Sequence, residues 1–333
     1  MTALPLAAFA SRYGATARTL SEPALQLIVL RDDEGGLEAS VCPSQGGELS
    51  SLRLRHKGQW AELLYRAADY RPAEGWRGKA PLLWPATGRS LLAGRGAGYV
   101  FKDHFYPMAD HGFIRDLPWE VAGQGSHASG AFTTLRVADT PETRRHYPFG
   151  FRLTADYRVS SGAIEIGYTV LAAQDNASPM FFSIGNHITF RTPFLEGTPP
   201  AAVRLFTPAT LEVVKDAERL PTGEMRAWKL DRPVPLRQMK RNEAVSLTGY
   251  PDSTPYVTLQ DPGGLGIRLS HSATAMPKQP VVLFNMWGDA AAGYYSPEPW
   301  VGLHNSFNLK QGLLHLLPGK EFGWRIRIER TNG

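Results

Sequence analysis

Glu298 stands between Pro297 and Pro299, with Trp300 two residues on. Proline on each side restricts the backbone and removes competing N–H donors. A carboxylate fixed in that way needs little further ordering to act as a general base. Its natural counterpart is an imidazole. His187 follows the apolar run "MFFSIGN", and His111 sits in "DHGFIRDLPWEV" before Gly112, where glycine allows close backbone approach. Arg89 closes "PLLWPATGRS", a stretch of apolar and turn-forming residues that offers its guanidinium no internal partner. Trp84, Trp119, Trp287 and Trp300 lie in or near these stretches. Flat apolar rings beside planar donors suit a ligand with C–H faces and many hydroxyls. Each residue also has a plainer reading, with Glu298 on a surface loop and His187 and the tryptophans packed in the core.

Other chemistries fit less well. The chain has no G-x-S-x-G elbow, no P-loop and no strand-linked G-x-G-x-x-G. "GRGAG" (94–98) is a short glycine-rich loop without that context. His104 and His111 in "DHFYPMADH" are not followed by H-E-x-x-H or a cysteine set, so no metal site is expected. A glycosidase would want two facing carboxylates, and only Glu298 is held in place by its neighbours.

The elements that would carry these residues read as strands. "LQLIVLRD" (25–32), "RLTADYRV" (152–159) and "AIEIGYTVL" (163–171) have strand length and are rich in β-formers. In "WRIRIE", Trp324, Ile326 and Ile328 share one face and Arg325, Arg327 and Glu329 the other. "YVTLQDPGGLGIRLS" (256–270) reads as strand, turn, strand. Helical periodicity is weak, and its best stretch is short, around residues 5–12. No repeat of 20–50 residues is visible. With 33 glycines, 26 prolines and 43% apolar residues, the 333-residue chain predicts one large antiparallel, all-β sandwich. Residues 66–120 carry few clean strands and predict a long irregular, functional stretch.

The net charge is +5, but the basic residues are scattered and form no nucleic-acid signature. The single cysteine, Cys42, lies in an alternating apolar stretch and predicts a small core residue. The start, "MTALPLAAFAS", has no positive residue before its short apolar run, which Pro5 interrupts, so a secretory signal is not expected. No apolar run is long enough to predict a membrane span.

In this order along the chain, the four reactive stretches resemble the aldose 1-epimerase (galactose mutarotase-like) superfamily. "PLLWPATGRS" is similar to the family's apolar-Pro run into Gly-Arg or Asn-Arg. "HGFIRDLPWEV" is similar to its His-Gly-Phe-Ala-Arg block, and "ASPMFFSIGNHITF" to its strand into Gly-x-His. "SPEPWVGLHNSFNLKQGLLHLLPGKEF" is similar to its late Glu-Pro-Trp-x-Gly block and the strand entry that follows. The resemblance covers roughly residues 24–330. It implies a large β-sandwich (a supersandwich) with a sugar pocket on one sheet face, and a domain spanning 24–333 on which residues 1–23 pack as an extension.

The resemblance also implies roles. Glu298 would act as base on the anomeric hydroxyl and His187 as acid on the ring oxygen, which requires an ionised Glu298 and a protonated His187 near neutral pH. Arg89 and His111 match positions that contact the sugar. Asp252, in "YPDSTPYVTL", is the nearest match to an aspartate that holds it, and Asn186 and Trp300 complete the expected binding set. The family's Gly-Tyr-His-Pro is here Gly185-Asn186-His187-Ile188, and Pro297 replaces an apolar β-former, which implies a branch distinct from the galactose enzyme. The implied activity is interconversion of the α and β anomers of an aldose. The alternatives are a hexose 6-phosphate, with Arg115 and Arg191 as phosphate candidates, or a carbohydrate-binding protein without turnover. No cofactor or metal is implied. The expected partner is a monosaccharide or sugar phosphate, with no nucleic acid and no membrane, in a cytoplasmic monomer or homodimer.

Overall fold

The computed structural model describes residues 11–20, 25–67, 78–278 and 280–331. Strands form where the sequence alternates. In Glu321–Thr331, Trp324, Ile326 and Ile328 are buried, while Arg325, Arg327 and Glu329 keep contact with solvent. This strand is central in a nine-stranded antiparallel sheet. The sheet runs Glu120–His127, Gly130–Ala138, Phe151–Ser160, Ala163–Ala172, Glu321–Thr331, Gly266–Ala273, Tyr256–Gln260, Arg204–Phe206 and Val234–Pro235. The hairpin expected at 256–270 forms as Tyr256–Gln260 and Gly266–Ala273. Its turn residue Asp261 is fully buried, because Oδ2 accepts the amides of Phe194 and Leu195 and so anchors a second loop.

A five-stranded meander, Tyr13–Leu20, Leu25–Asp32, Leu37–Cys42, Glu48–His56 and Gln59–Glu62, lies against the first strands of that sheet. The sheet that carries the site is joined to this meander by backbone bridges, Leu49 to Ala80 and Leu64 to Phe190. It runs Pro221–Ala227, Leu211–Lys215, Val245–Thr248, Val282–Asp289, Tyr294–Gly302, Ile184–Asn186 and Leu82–Leu83, with Phe190–Arg191 also paired to Tyr294–Gly302. Side chains of the site sheet and the nine-stranded sheet meet in the core. The Trp84 ring lies 4.3 Å from that of Phe151 and 5.2 Å from that of Tyr147. Trp84 is fully buried, so it packs the core and offers no face to a ligand. Trp119 and Cys42 are buried as well.

Tyr13–Leu20, part of the expected N-terminal extension, is hydrogen-bonded along its whole length to Leu25–Asp32 and forms the edge of the meander. The short helix expected around 5–12 falls, up to residue 10, outside the described residues. The stretch 66–120 is less irregular than expected, since Leu91–Leu92, Gly96–Phe101 and His104–Pro107 form a small three-stranded sheet. Gly96 and Gly98 break the alternation that would have revealed it. No helix among the described residues is long and apolar enough to cross a membrane.

Candidate active site

Glu298 lies in the middle of Tyr294–Gly302, a central strand, and not on a surface loop. On one side this strand pairs with Val282–Asp289, which sets Glu298 opposite Asn285. On the other side it is paired only at its ends. Ile184 and Gly185 meet Val301 and Trp300, and Phe190 and Arg191 meet Tyr295 and Tyr294. Between them the chain turns away, and His187 N and Thr189 N donate to Pro81 O and Lys79 O. Proline is tolerated in a sheet where no ladder bond is needed, and Pro297 and Pro299 both lie in this interval.

The gap lets His187 reach the carboxylate. Its Nε2 lies 3.5 Å from Glu298 Oε1, while Thr189 Oγ1 sits 3.4 Å from its Nδ1 and fixes the ring. Glu298 is 1% exposed, and its acceptors are engaged by Asn285 Nδ2 at 3.1 Å and Trp300 Nε1 at 3.2 Å. Trp300 is two residues on and therefore on the same face of the strand. Gly185 makes room for it, since a Cβ there would stand 2.6 Å from the indole.

Two loops close the site from above. Gly88 N donates to His111 Nδ1 at 3.1 Å, and His111 N donates to Gly88 O at 2.9 Å. An imidazole that accepts at Nδ1 carries its proton on Nε2, so neutral His111 is a donor there. Gly112 has a φ of 73°, and a Cβ there would meet Trp84 O at 2.2 Å, so only glycine lets this loop dock.

The result is a cavity of about 320 Å³, lined by Gly88, Arg89, Asp110, His111, Arg115, His187, Lys215, Arg219, Ala244, Asn285, Trp287, Glu298 and His304. Wider grooves of about 560, 660 and 600 Å³ lie elsewhere on the surface. The smaller cavity is the candidate active site, because there a buried carboxylate faces an imidazole.

The structure brings together Glu298, His187, His111 and Arg89, and it separates the other expected residues. Trp300 holds Glu298 and is not among the cavity-lining residues. Asn186, adjacent to His187, points to the opposite face, where Nδ2 donates to Ala80 O and the Tyr168 hydroxyl. Asp252 lies on an exposed bend away from the cavity; the carboxylate at the mouth is Asp110, whose Oδ2 accepts Arg89 Nε at 3.3 Å. Arg89 is therefore a half-exposed rim residue and not a buried one. Arg115 lines the cavity, whereas Arg191 borders the wider grooves.

Sequence reasoning missed Asn285, Lys215, Arg219 and His304. Asn285 carried a usable signal, because asparagine is depleted in strands and here interrupts "VVLFNMW". Lys215 and Arg219 sit in "VKDAER", which reads like any polar strand end.

Burial governs the protonation states. It raises the Glu298 carboxyl to about 8, against the lowering effect of Asn285, Trp300 and Lys215. It lowers His187 to about 3 and His111 well below the ordinary imidazole value. The expected resting pair, ionised Glu298 with protonated His187, is therefore reversed. Burial favours the proton on the carboxyl at neutral pH, because an enclosed site disfavours both charges.

The family model for aldose 1-epimerase matches residues 26–299. A candidate glucose-6-phosphate 1-epimerase of Salmonella typhimurium is 26% identical over 111 residues, 33% of each chain, so the match spans about a third of that relative's length. A galactose mutarotase-like protein from Clostridium acetobutylicum superposes with a TM-score of 0.78 at 20% identity, covering 96% of this chain and 98% of its own. The galactose 1-epimerase of Lactobacillus acidophilus superposes with a TM-score of 0.69 at 16% identity, covering 96% and 99%. These superpositions show a common fold.

Proposed function

The chain belongs to the aldose 1-epimerase family, and from that premise we propose that its cavity opens and recloses the hemiacetal ring of an aldose. The observation that carries this reading is the 3.5 Å approach of His187 Nε2 to Glu298 Oε1 at a polar cavity. Ring opening takes a proton from O1 and delivers one to O5. Rotation about C1–C2 and reclosure then give the other anomer.

The pair needs one mobile proton, and it has one. Protonated carboxyl with neutral imidazole, and carboxylate with imidazolium, hold the same number of protons. The two microstates exchange in every cycle. The ionic form acts on the closed ring, with Glu298 as base and His187 as acid, and ring opening leaves the neutral form, which acts in reverse on closure. Each positioned group contributes ~10²–10⁴-fold. Neutral His111, as a donor through Nε2, and the rim pair Arg89–Asp110 would hold hydroxyls. A volume near the small end of ligand pockets, which run about 300–1,000 Å³, suits a monosaccharide.

One observation favours a phosphorylated sugar. Arg89, Arg115, Lys215 and Arg219 line the cavity against the carboxylates Asp110 and Glu298. The test is NMR exchange between the α and β anomers of glucose, galactose and glucose 6-phosphate, with wild type and His187→Ala. Accelerated exchange lost in the variant is expected, and the ranking of sugars decides whether the cations read a phosphate. Binding of these sugars without acceleration would make the protein a carbohydrate binder.

A further inference from the structure

Lys215 ends the strand Leu211–Lys215, with two strands between it and the strand of Glu298, yet it is joined to Glu298 by side chains. Lys215 Nζ donates to Ala244 O and, at 3.2 Å, to Ser246 Oγ. Ser246 Oγ donates to Asn285 Oδ1 at 2.8 Å. Asn285 Nδ2 donates to Glu298 Oε1 at 3.1 Å. Every donor points the same way, from an ammonium to a carboxyl. Such a chain polarises cooperatively, and each link strengthens when the far end is negative. Ser246 is fully buried and Asn285 is 3% exposed, so water does not compete for the inner links.

We propose that Lys215 is a positioning residue for Glu298, acting through Ser246 and Asn285 to orient the carboxyl and favour its anionic form at the start of turnover. This rests on the reading of Glu298 as the base. The arrangement answers a need of the site, because burial alone would leave the proton on the carboxyl and the ionic microstate out of reach. The other titratable and charged groups around the cavity are His187, His111, His304, Arg89, Arg115, Arg219 and Asp110. Among them Lys215 is the charged group whose field lowers Glu298; burial lowers Lys215 itself to about 8, against the raising effects of Glu212, Glu298 and Glu243.

The test follows the Glu298 carboxyl by ¹³C NMR, its signal identified by loss in Glu298→Gln, across a pH titration of wild type, Lys215→Met, Lys215→Arg and Ser246→Ala. Lys215→Met is expected to raise the titration midpoint by about one unit, as loss of a nearby opposite charge does. Lys215→Arg should restore most of it, and Ser246→Ala should shift it part of the way. In activity, Lys215→Met should lower kcat and move the basic limb of the pH profile upward. An unchanged midpoint in Lys215→Met overturns the proposal. If that variant does not fold, an unchanged midpoint in Ser246→Ala does so. A raised KM for a sugar phosphate with an unmoved pH profile would also overturn it, making Lys215 a phosphate ligand instead. The NMR readout needs no turnover, so a midpoint that shifts in a protein without exchange activity would sink the proposed function and leave the linkage of Lys215 to Glu298 standing.

Discussion

Two buried pairs among the described residues join a basic side chain to a carboxylate. Lys79 Nζ meets Glu48 Oε1 at 2.8 Å, with both side chains at most 1% exposed. His187 Nε2 meets Glu298 Oε1 at 3.5 Å, with the imidazole side chain 10% exposed and facing a cavity. The first pair is closed. It ties the meander to the segment that supports His187, since Lys79 O accepts the amide of Thr189. The second is loose enough to be shared with a ligand. A buried acid–base pair is therefore a candidate for chemistry only where space adjoins it; without that space it is architecture.

The largest effects should separate these two roles. Glu298→Gln keeps the shape and removes the base, so anomer exchange should fall by about 10²–10⁴-fold, while calorimetry still detects sugar binding. Lys79→Met should do the reverse. It strands a buried carboxylate and should cost about 3–5 kcal/mol in urea unfolding, with turnover per folded molecule retained. Replacing both partners, as Lys79→Met with Glu48→Leu, should recover most of that loss, because apolar replacement of a whole buried pair is often neutral. Loss of exchange in Lys79→Met at full stability would collapse the distinction.

How much of this could be read beforehand depended on how locally each role is encoded. The sandwich was legible because alternation such as Trp324, Ile326 and Ile328 is fixed by one buried face. Glu298 was legible because its flanking prolines are unusual. Its setting was not, since the prolines suggested a loop while the structure puts them in a gap between two short ladders. Asn186 could have been set aside on sequence grounds, because adjacent strand residues face opposite ways and His187 already claimed the cavity face. Lys215 was invisible. Its link to Glu298 passes through Ser246 and Asn285 on two further strands, and no window of sequence contains that path.

A moderate effect concerns pH. Exchange should lose rate above about pH 8, where the Glu298–His187 pair gives up its one proton. On the acid side the fold itself should weaken first. His187 and His304 are lowered to about 3, His271 to about 4, and His111 well below 6.5, all by burial. The unfolded chain protonates these groups near 6.5 and the folded chain does not. Their contribution is therefore full above 6.5 and is lost as pH falls toward 4, by roughly 1.4 kcal/mol per unit for each histidine. Glu298 opposes this, because its raised value makes the folded state bind a proton between about 8 and 4.5. Glu62, also raised by burial, opposes it in the same sense. Four groups outweigh two, so unfolding midpoints should drop between pH 6.5 and 4. Flat midpoints over that range would mean that the four imidazoles are not held neutral.

The smallest effects belong to the rim. Arg89 and Asp110 are about half exposed, and ion pairs of that kind are worth about 0–1 kcal/mol. Arg89→Ala should therefore raise KM only a few-fold and leave kcat near wild type, since in the proposed function the guanidinium would hold hydroxyls or a charged substituent and touch no reacting proton. Asp252→Ala should change neither, because its bend lies outside the cavity. A KM for Asp252→Ala that rises as far as that of Arg89→Ala would mean that the 250–255 segment closes over the ligand, and the binding aspartate would return to the position that the sequence alone suggested.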